Sequence, residues 1–246
     1  MSPNAALVER PIHEHRLAPN GSMNGAERIP HFPCWGVILP EPVEDARALA
    51  TEFTSWRISE RWLLLGPHAA ISERQLWTAW IALGGRLAQQ TMISRSLDGE
   101  FMRLLAGTHQ MRLAFERAGL TTGDTQAWLV HLPEWPEEDM WAIAEETGRS
   151  LDEVRQEFGG STASHLHADL DLESLQIPTN WPALDRIELD QEAARLFNVL
   201  RGKLLTERPM ARADARARLA LPDGDEAPAR LEADALAHIA LADLES

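Results

Sequence analysis

Residues 92–120 read MISRSLDGEFMRLLAGTHQMRLAFERAGL and predict two short helices in succession. Ser96 is placed to cap the first helix, and Gly107 is placed to end it. Thr108 follows at once as a cap for the second helix, which Gly119 closes. Apolar residues recur at helical spacing in each half, which predicts an αα-hairpin packed on a core. The first apolar stripe comprises Leu97, Phe101, Leu104 and Leu105, and the second comprises Met111, Ala114, Phe115 and Ala118.

The distribution of charge sets this hairpin apart from the rest of the chain. The net charge is −15, from 23 lysine and arginine residues against 38 aspartate and glutamate residues, which argues against a general nucleic-acid binder. Between Gly84 and Leu120, however, arginines outnumber acids, whereas acids accumulate in the residues that follow. The sequence therefore predicts a locally positive face on an acidic body. The arginines concerned are Arg86, Arg95, Arg103, Arg112 and Arg117.

Composition and missing motifs narrow the class of protein. No apolar run reaches the roughly 20 residues of a membrane-spanning helix, and the first residues lack the layout of a signal peptide, so we expect a cytoplasmic protein without a membrane partner. Cys34 is the only cysteine, which excludes an internal disulfide and a cysteine-based metal cluster. The chain contains no Gly-Lys-Ser phosphate loop, GxGxxG, GxSxG or HExxH motif. These observations favour a binding subunit over an enzyme, with no cofactor and no metal.

Periodicity along the chain predicts both strands and helices. Short apolar runs at 32–39, 61–65 and 125–132 are typical of buried strands. Helical spacing recurs at 43–53, 72–87, 137–147, 151–158, 190–205 and 231–244. We therefore predict a disordered arm at 1–30, a core domain with a helical extension at 31–205, a mobile acidic and arginine-rich insertion at 206–228, and a C-terminal helix at 229–246 that packs on the core.

A second helix pair has the spacing of a DNA-binding helix-turn-helix. Ala144, Gly148, Ser150 and Val154 occupy the spaced positions. A recognition helix must contact phosphates and the edges of nucleobases. The outward residues of the second helix, however, are mainly acidic, and Arg155 is its only basic residue. Repulsion from duplex DNA favours a plain packed pair of helices. An acidic helix-turn-helix regulator remains an alternative interpretation.

Alternating polar residues form a possible metal site. His165, His167, Asp169 and Asp171 would share one face of a strand, which is the geometry of a set of metal ligands. A solvated polar face on an edge strand or a loop also explains the pattern, and we favour it because no further cluster of ligands is evident. A metal-dependent hydrolase is nevertheless a second alternative.

The 92–120 stretch also carries a series of short features in a fixed order. These are a basic residue before a serine, an acid ahead of a Leu-Leu pair, a turn containing glycine, a Gln-apolar pair, an Ala-apolar pair and a final Gly-apolar pair. They correspond to Arg95-Ser96, Glu100, Leu104-Leu105, Ala106-Gly107-Thr108, Gln110-Met111, Ala114-Phe115 and Gly119-Leu120. This order resembles the signature of the kinase-binding, tRNA-binding accessory subunit of the KEOPS complex, the PRPK-binding-protein family. The predicted helix at 231–244 is also similar to the C-terminal ending of that family.

The resemblance implies an α+β fold, in which helices cover a small mixed or antiparallel sheet, and this agrees with the elements predicted above. It also implies a non-catalytic subunit that binds the small atypical kinase/ATPase of the complex and the single-stranded 3′ end of tRNA. The acidic helix pair described above argues against duplex DNA as a partner. Catalysis of threonylcarbamoyl-adenosine (t6A) synthesis in tRNA belongs to partner subunits of such a complex.

The candidate tRNA-binding residues lie around the turn between the two helices, where the sequence offers the groups that a single-stranded RNA requires. A site for a single-stranded tail needs cations for phosphates and flat or polar groups for unstacked bases. The N-terminus of the second helix also offers backbone N–H groups to anions. The candidate tRNA contacts are Arg95, Arg103, His109, Gln110 and Arg112.

Overall fold

The computed structural model describes most of the chain between residues 31 and 244. The described residues are 31–133, 144–145, 148–150, 152–154, 191–205, 207 and 209–244. The predicted arm at 1–30 and the metal-site residues His165, His167, Asp169 and Asp171 lie outside them.

A four-stranded antiparallel sheet lies at the centre of the described chain. Its strands are β1 (Cys34–Ile38), β2 (Trp62–Leu65), β3 (Gln126–His131) and β4 (Lys203–Leu205). The strand order is β2-β3-β1-β4. Every neighbouring pair is antiparallel, with Gly36 of β1 opposite Trp128 of β3 and Leu205 of β4. The sheet and its helices confirm the predicted α+β class.

Helices cover both faces of this sheet. They are α1 (Ala46–Trp56), α2 (Glu73–Ala88), α3 (Leu97–Leu105), α4 (Met111–Ala118), α5 (Gln191–Leu200), α6 (Ala215–Arg218) and α7 (Pro228–Leu244). None of these described helices combines the length and the apolar character needed to cross a bilayer.

Successive residues of β2 and β3 alternate between two separate cores, as do Cys34 and Trp35 of β1. Trp35, Trp62 and Leu64 pack in one core with residues of α1 and α5. Leu63 and Trp128 pack in the other core with residues of α2, α3, α4, α6 and α7. Because helices bury both faces of the sheet, its strands appear in the sequence as nearly continuous apolar runs. The α3–α4 hairpin therefore belongs entirely to the second core.

The α3–α4 hairpin has the predicted boundaries, but its caps differ from those predicted. Gly107 has a φ of +56°, a left-handed conformation suited to glycine, and it follows the end of α3 as expected. Ser96 lies at the N-cap of α3 but forms no capping hydrogen bond with its side chain. The N-cap of α4 is Gln110, and Thr108 Oγ1 accepts a hydrogen bond from the Gln110 N–H at 3.2 Å. Thr108 therefore supports the turn without occupying the cap itself.

Gly107 should be intolerant of any side chain. A Cβ atom at this position would overlap the imidazole ring of His238 in α7. Gly148 is a matched control, because it has a similar φ of +66° and no described atom lies within 4 Å of its Cβ position. We expect Gly107→Ala to lower the free energy of unfolding by about 1–3 kcal/mol more than Gly148→Ala, because the two share left-handed strain but differ in overlap. Urea denaturation of both variants measures this difference, and equal losses would contradict it.

The chain reverses direction where the sequence predicted one continuous helix at 190–205. Helix α5 ends at Leu200, and Arg201 adopts a left-handed φ of +51°. A Cβ atom on Gly202 would overlap Val37 of β1, so glycine allows the returning chain to approach the sheet closely. The short strand β4 then pairs with β1. The apolar residues of β4 follow those of α5 at helical spacing, and periodicity alone therefore missed this strand.

The segment 206–228 was predicted to be a mobile insertion, but its described residues 209–228 contribute a helix and buried side chains to the second core. Ala215, Leu219 and Leu221 belong to that core. The Arg216 guanidinium donates to the Asp225 carbonyl at 2.7 Å and lies 2.9 Å from the Asp234 carboxylate of α7. A composition rich in alanine, arginine, aspartate and proline concealed these few anchoring residues, since α6 is too short to show a helical period.

Candidate functional site

The five candidate tRNA contacts occupy different environments in the structure. Arg95 is exposed in the loop before α3, and Arg112 is exposed in the first turn of α4. Gln110 is exposed at the N-cap of α4, and His109 before it is partly exposed. Arg103, in contrast, is fully buried in α3. Four of the five residues are thus accessible to a ligand.

Arg103 cannot contact an RNA in this structure, and its assignment to the site is wrong. Its side chain has no solvent exposure. Its Nη2 donates to Glu100 Oε1 at 2.6 Å, and its Nη1 donates to the Thr108 carbonyl at 3.0 Å. The physical reason is that α2, α4 and α7 all pack around α3, so positions off the apolar stripe are buried as well. In the sequence, the opposite charges of Glu100 and Arg103 lie one helical turn apart, and this spacing could have indicated an ion pair.

The Glu100 carboxylate is the centre of a buried polar network. It is fully buried and accepts hydrogen bonds from the backbone N–H groups of Ile93 and Ser94 at 3.1 and 2.8 Å. It also accepts from Arg103, as described above, and lies 3.8 Å from the Nε atom of Arg86. One side chain therefore connects α3 to the loop that precedes it and to α2.

The positive face is smaller than the sequence indicated. Arg86 is buried in α2, where its Nη2 donates to the Ala242 carbonyl of α7 at 2.8 Å. Arg117 is partly buried, and its Nη1 donates to the Ala106 carbonyl at 3.1 Å. Of the five arginines predicted for that face, only Arg95 and Arg112 are exposed.

Both halves of the candidate site approach Gly99 closely. A Cβ atom on Gly99 would lie 3.0 Å from Ser96 Oγ and 3.2 Å from Met111 Cε, and closer still to Ser94 Oγ. The loop that carries Arg95 and the first residue of α4 therefore both pack against the start of α3. This contact places Arg95 in the same neighbourhood as the N-terminus of α4.

Phe115 is an exposed aromatic residue beside the candidate contacts, and the sequence pattern did not predict its exposure. Its spacing from Met111 and Ala118 predicted a place on the buried stripe of α4, yet its exposed fraction is 49%. It lies one helical turn after Arg112, on the same side of α4. Arg112 itself forms an exposed ion pair with Glu116. The first turns of α4 thus present a cation, an amide and an aromatic ring, which are the groups that bind phosphates and unstacked bases.

Helix α7 is joined to the α3–α4 turn through one carbonyl group. The Ala106 carbonyl accepts a hydrogen bond from His238 Nε2 at 3.0 Å and another from Arg117. Burial lowers the pKa of His238; the hydrogen bond to Ala106 opposes this effect, and the nearby Arg117 charge adds to it. The neutral imidazole, with its Nε2 as the donor, is therefore the favoured form at neutral pH.

The lowered pKa of His238 should make the free energy of unfolding depend on pH. Its pKa is lowered in the folded chain from an ordinary value of 6.5, so the unfolded chain binds more protons as the pH falls through that value. The free energy of unfolding should therefore fall between about pH 7.5 and about pH 5.5. His238→Gln keeps a donor for the Ala106 carbonyl but does not titrate, and it should reduce this pH dependence. Urea midpoints at the two pH values measure the slopes, and identical slopes would contradict the assignment.

The four residues of the alternative metal site lie outside the described residues, and those of the alternative helix-turn-helix lie partly within them. No cluster of three or more histidine, cysteine, aspartate or glutamate side chains able to hold a metal occurs among them. In the predicted helix-turn-helix, Ala144 and Val154 are buried, and the Ser150–Glu153 capping box is present. Its described exposed residues include Asp152 and Glu153, whose charge opposes contact with a duplex. Arg155 lies outside the described residues.

The single cysteine is a core residue. Cys34 is buried in β1. Burial raises the pKa of its thiol well above the ordinary value, and the nearby Glu73 charge raises it further. The thiol is therefore protonated at neutral pH and unsuited to act as a nucleophile.

Comparison of the chain with protein-family models and with curated proteins found no match.

Proposed function

We propose that this protein is a non-catalytic accessory subunit of a KEOPS-type complex and binds the single-stranded 3′ end of tRNA. The binding surface consists of the loop containing Arg95 and the first turns of α4. One observation carries the proposal: exposed Arg95, Gln110, Arg112 and Phe115 are grouped around the hairpin whose sequence resembles the family signature. The role in t6A modification and the kinase/ATPase partner rest on that resemblance.

Each part of this surface meets a separate requirement of a single-stranded RNA. Arg95 and Arg112 provide positive charge for phosphates. Phe115 provides a ring on which an unstacked base packs, an interaction of about 1–3 kcal/mol per base. Gln110 forms no side-chain capping hydrogen bond. Its side-chain amide is thus available to hydrogen-bond a base edge. The first N–H groups of α4, at the helix N-terminus, are available to bind a phosphate.

The acidity of the whole chain limits RNA binding to this surface. With a net charge of −15, most of the molecule repels a polyanion. A few exposed cations beside an aromatic ring then favour a short flexible tail over a long duplex, which would contact the acidic parts as well. The proposed ligand is accordingly the end of the tRNA and not its helical body.

Charge reversal at Arg112 tests the proposed surface. Arg47 is a matched control, since it is an exposed arginine on α1, which packs on the opposite face of the sheet. We expect Arg112→Glu to weaken tRNA binding about tenfold and to reduce the salt dependence by about 0.7 in the log–log slope, the value for one lost single-strand phosphate contact. Arg47→Glu should leave both quantities near those of the unaltered protein. Fluorescence anisotropy across a salt series measures them, and equal effects of the two changes would refute the site.

A further inference from the structure

We infer that the buried Glu100–Arg103 ion pair positions both halves of the proposed RNA-binding surface. The inference rests on the proposed function, because it assigns these two residues a role in preparing that surface. Neither residue touches the RNA. Glu100 and Arg103 are therefore positioning residues, and the exposed groups make the contacts.

The first half of the surface depends on the Glu100 carboxylate. Glu100 Oε2 accepts from the N–H groups of both Ile93 and Ser94, at 3.1 and 2.8 Å. These residues come directly before Arg95, so the two hydrogen bonds fix the backbone from which the Arg95 side chain extends. Hydrogen bonds to a buried carboxylate are charge-assisted and stronger than neutral ones, which makes this restraint firm.

The second half depends on the Arg103 guanidinium. Its Nη1 donates to the Thr108 carbonyl at 3.0 Å, and Thr108 comes directly before His109 and Gln110. The same guanidinium holds Glu100 Oε1 through its Nε and Nη2, at 3.2 and 2.6 Å. Arg103 thus fixes the turn that leads into α4 in a defined relation to the carboxylate that fixes the Arg95 loop.

The cost of burying this pair supports a geometric role. Both side chains have no solvent exposure. A fully buried ion pair is generally no more stabilising than apolar side chains of similar volume, because both charges lose their hydration. The pair provides directed hydrogen bonds to three backbone groups on the two RNA-binding segments, the N–H groups of Ile93 and Ser94 and the carbonyl of Thr108. Apolar side chains cannot form these bonds.

The experiment compares two buried carboxylates, Glu100 and Glu73. Glu73 is a matched control because it also accepts a backbone N–H, that of Phe32 at 2.6 Å, and pairs with another side chain, His31 at 2.8 Å, away from the proposed surface. Binding of a short single-stranded RNA ending in CCA is measured for Glu100→Gln and Glu73→Gln, at a temperature where circular dichroism shows both to be folded. Amide hydrogen exchange at Ile93 and Ser94 is measured on the same proteins without RNA.

If the pair positions the surface, Glu100→Gln weakens RNA binding about tenfold, the effect of a surface that is correctly arranged about one-tenth of the time. The salt dependence stays unchanged, since no phosphate-binding cation is lost, and exchange at Ile93 and Ser94 becomes faster. Glu73→Gln binds RNA as the unaltered protein does. Unchanged RNA affinity with unchanged exchange in Glu100→Gln overturns the inference.

Two further variants keep the outcomes distinct. Arg103→Lys retains the buried positive charge but lacks the planar guanidinium, whose separate nitrogens bond Glu100 and Thr108 in fixed directions. It should therefore show the same loss of affinity even if Glu100→Gln fails to fold. Full affinity in Arg103→Lys overturns the inference. If exchange at Ile93 and Ser94 rises in Glu100→Gln while Arg112→Glu binds RNA normally, the positioning role stands and the proposed function fails.

Discussion

Phe101→Ala is expected to lower the free energy of unfolding by about 3–5 kcal/mol, because it leaves a cavity the size of a ring in a closed core. Phe101 has no solvent exposure and lies in the middle of α3. Its ring stacks on Phe32 with centroids 5.8 Å apart, and Phe32 packs edge-on against Trp77 at 4.9 Å. The substitution therefore removes one of three aromatic rings that connect α3, the segment before β1, and α2.

Phe115 provides the control for this prediction. It lies on the adjacent helix α4, and its exposed fraction is 49%. Phe115→Ala should change the free energy of unfolding by only about 0.5 kcal/mol, as is usual for surface positions. Urea denaturation followed by circular dichroism compares the two variants. If they lose equal stability, the two phenylalanines do not occupy the different environments described.

Glu100→Ala is the second change with a large expected effect, about 3–5 kcal/mol, because it leaves the buried Arg103 charge without its partner. It also leaves the N–H groups of Ile93 and Ser94 without an acceptor. Replacing the pair together, as Glu100→Leu with Arg103→Met, removes the uncompensated Arg103 charge and should recover part of the loss. Recovery should be incomplete, because the buried Arg86 also loses the nearby carboxylate. This recovery separates the effect of a buried charge from that of a lost contact.

The exposed pair Arg112–Glu116 is the control for the buried one. Its side chains are 71% and 53% exposed. Arg112→Ala should cost no more than about 0.5 kcal/mol, the usual value for a pair one turn apart on an exposed helix. Chemical denaturation measures all of these variants, and a Glu100→Ala protein as stable as Arg112→Ala would contradict the buried network.

The parts of the fold that the sequence predicted correctly have strong local signals. The α3–α4 hairpin follows from apolar periodicity and from the turn at Gly107, and both depend on neighbouring residues alone. The strands β1 to β3 follow from apolar runs, because helices cover both faces of the sheet. Strand β4 and the burial of Ala215, Leu219 and Leu221 depend on contacts with distant parts of the chain, which local patterns do not record.

The candidate site shows the same division. Arg95, Gln110 and Arg112 are exposed, as a hairpin with a polar outer side predicts. Arg103 is buried because α7 returns from the far end of the sequence to pack on α3, and no local pattern indicates that contact. Helix α4 packs on the core through its small residues Ala114 and Ala118, and the Phe115 ring is therefore left exposed to solvent.

The most direct test of the central claim is the affinity of the protein for one tRNA with and without its terminal CCA. Removing CCA should weaken binding by at least about 1–3 kcal/mol, the contribution of a single stacked base. Arg112→Glu should weaken binding only to the intact tRNA. Equal affinity for the two tRNAs would contradict the claim that this surface binds the 3′ end.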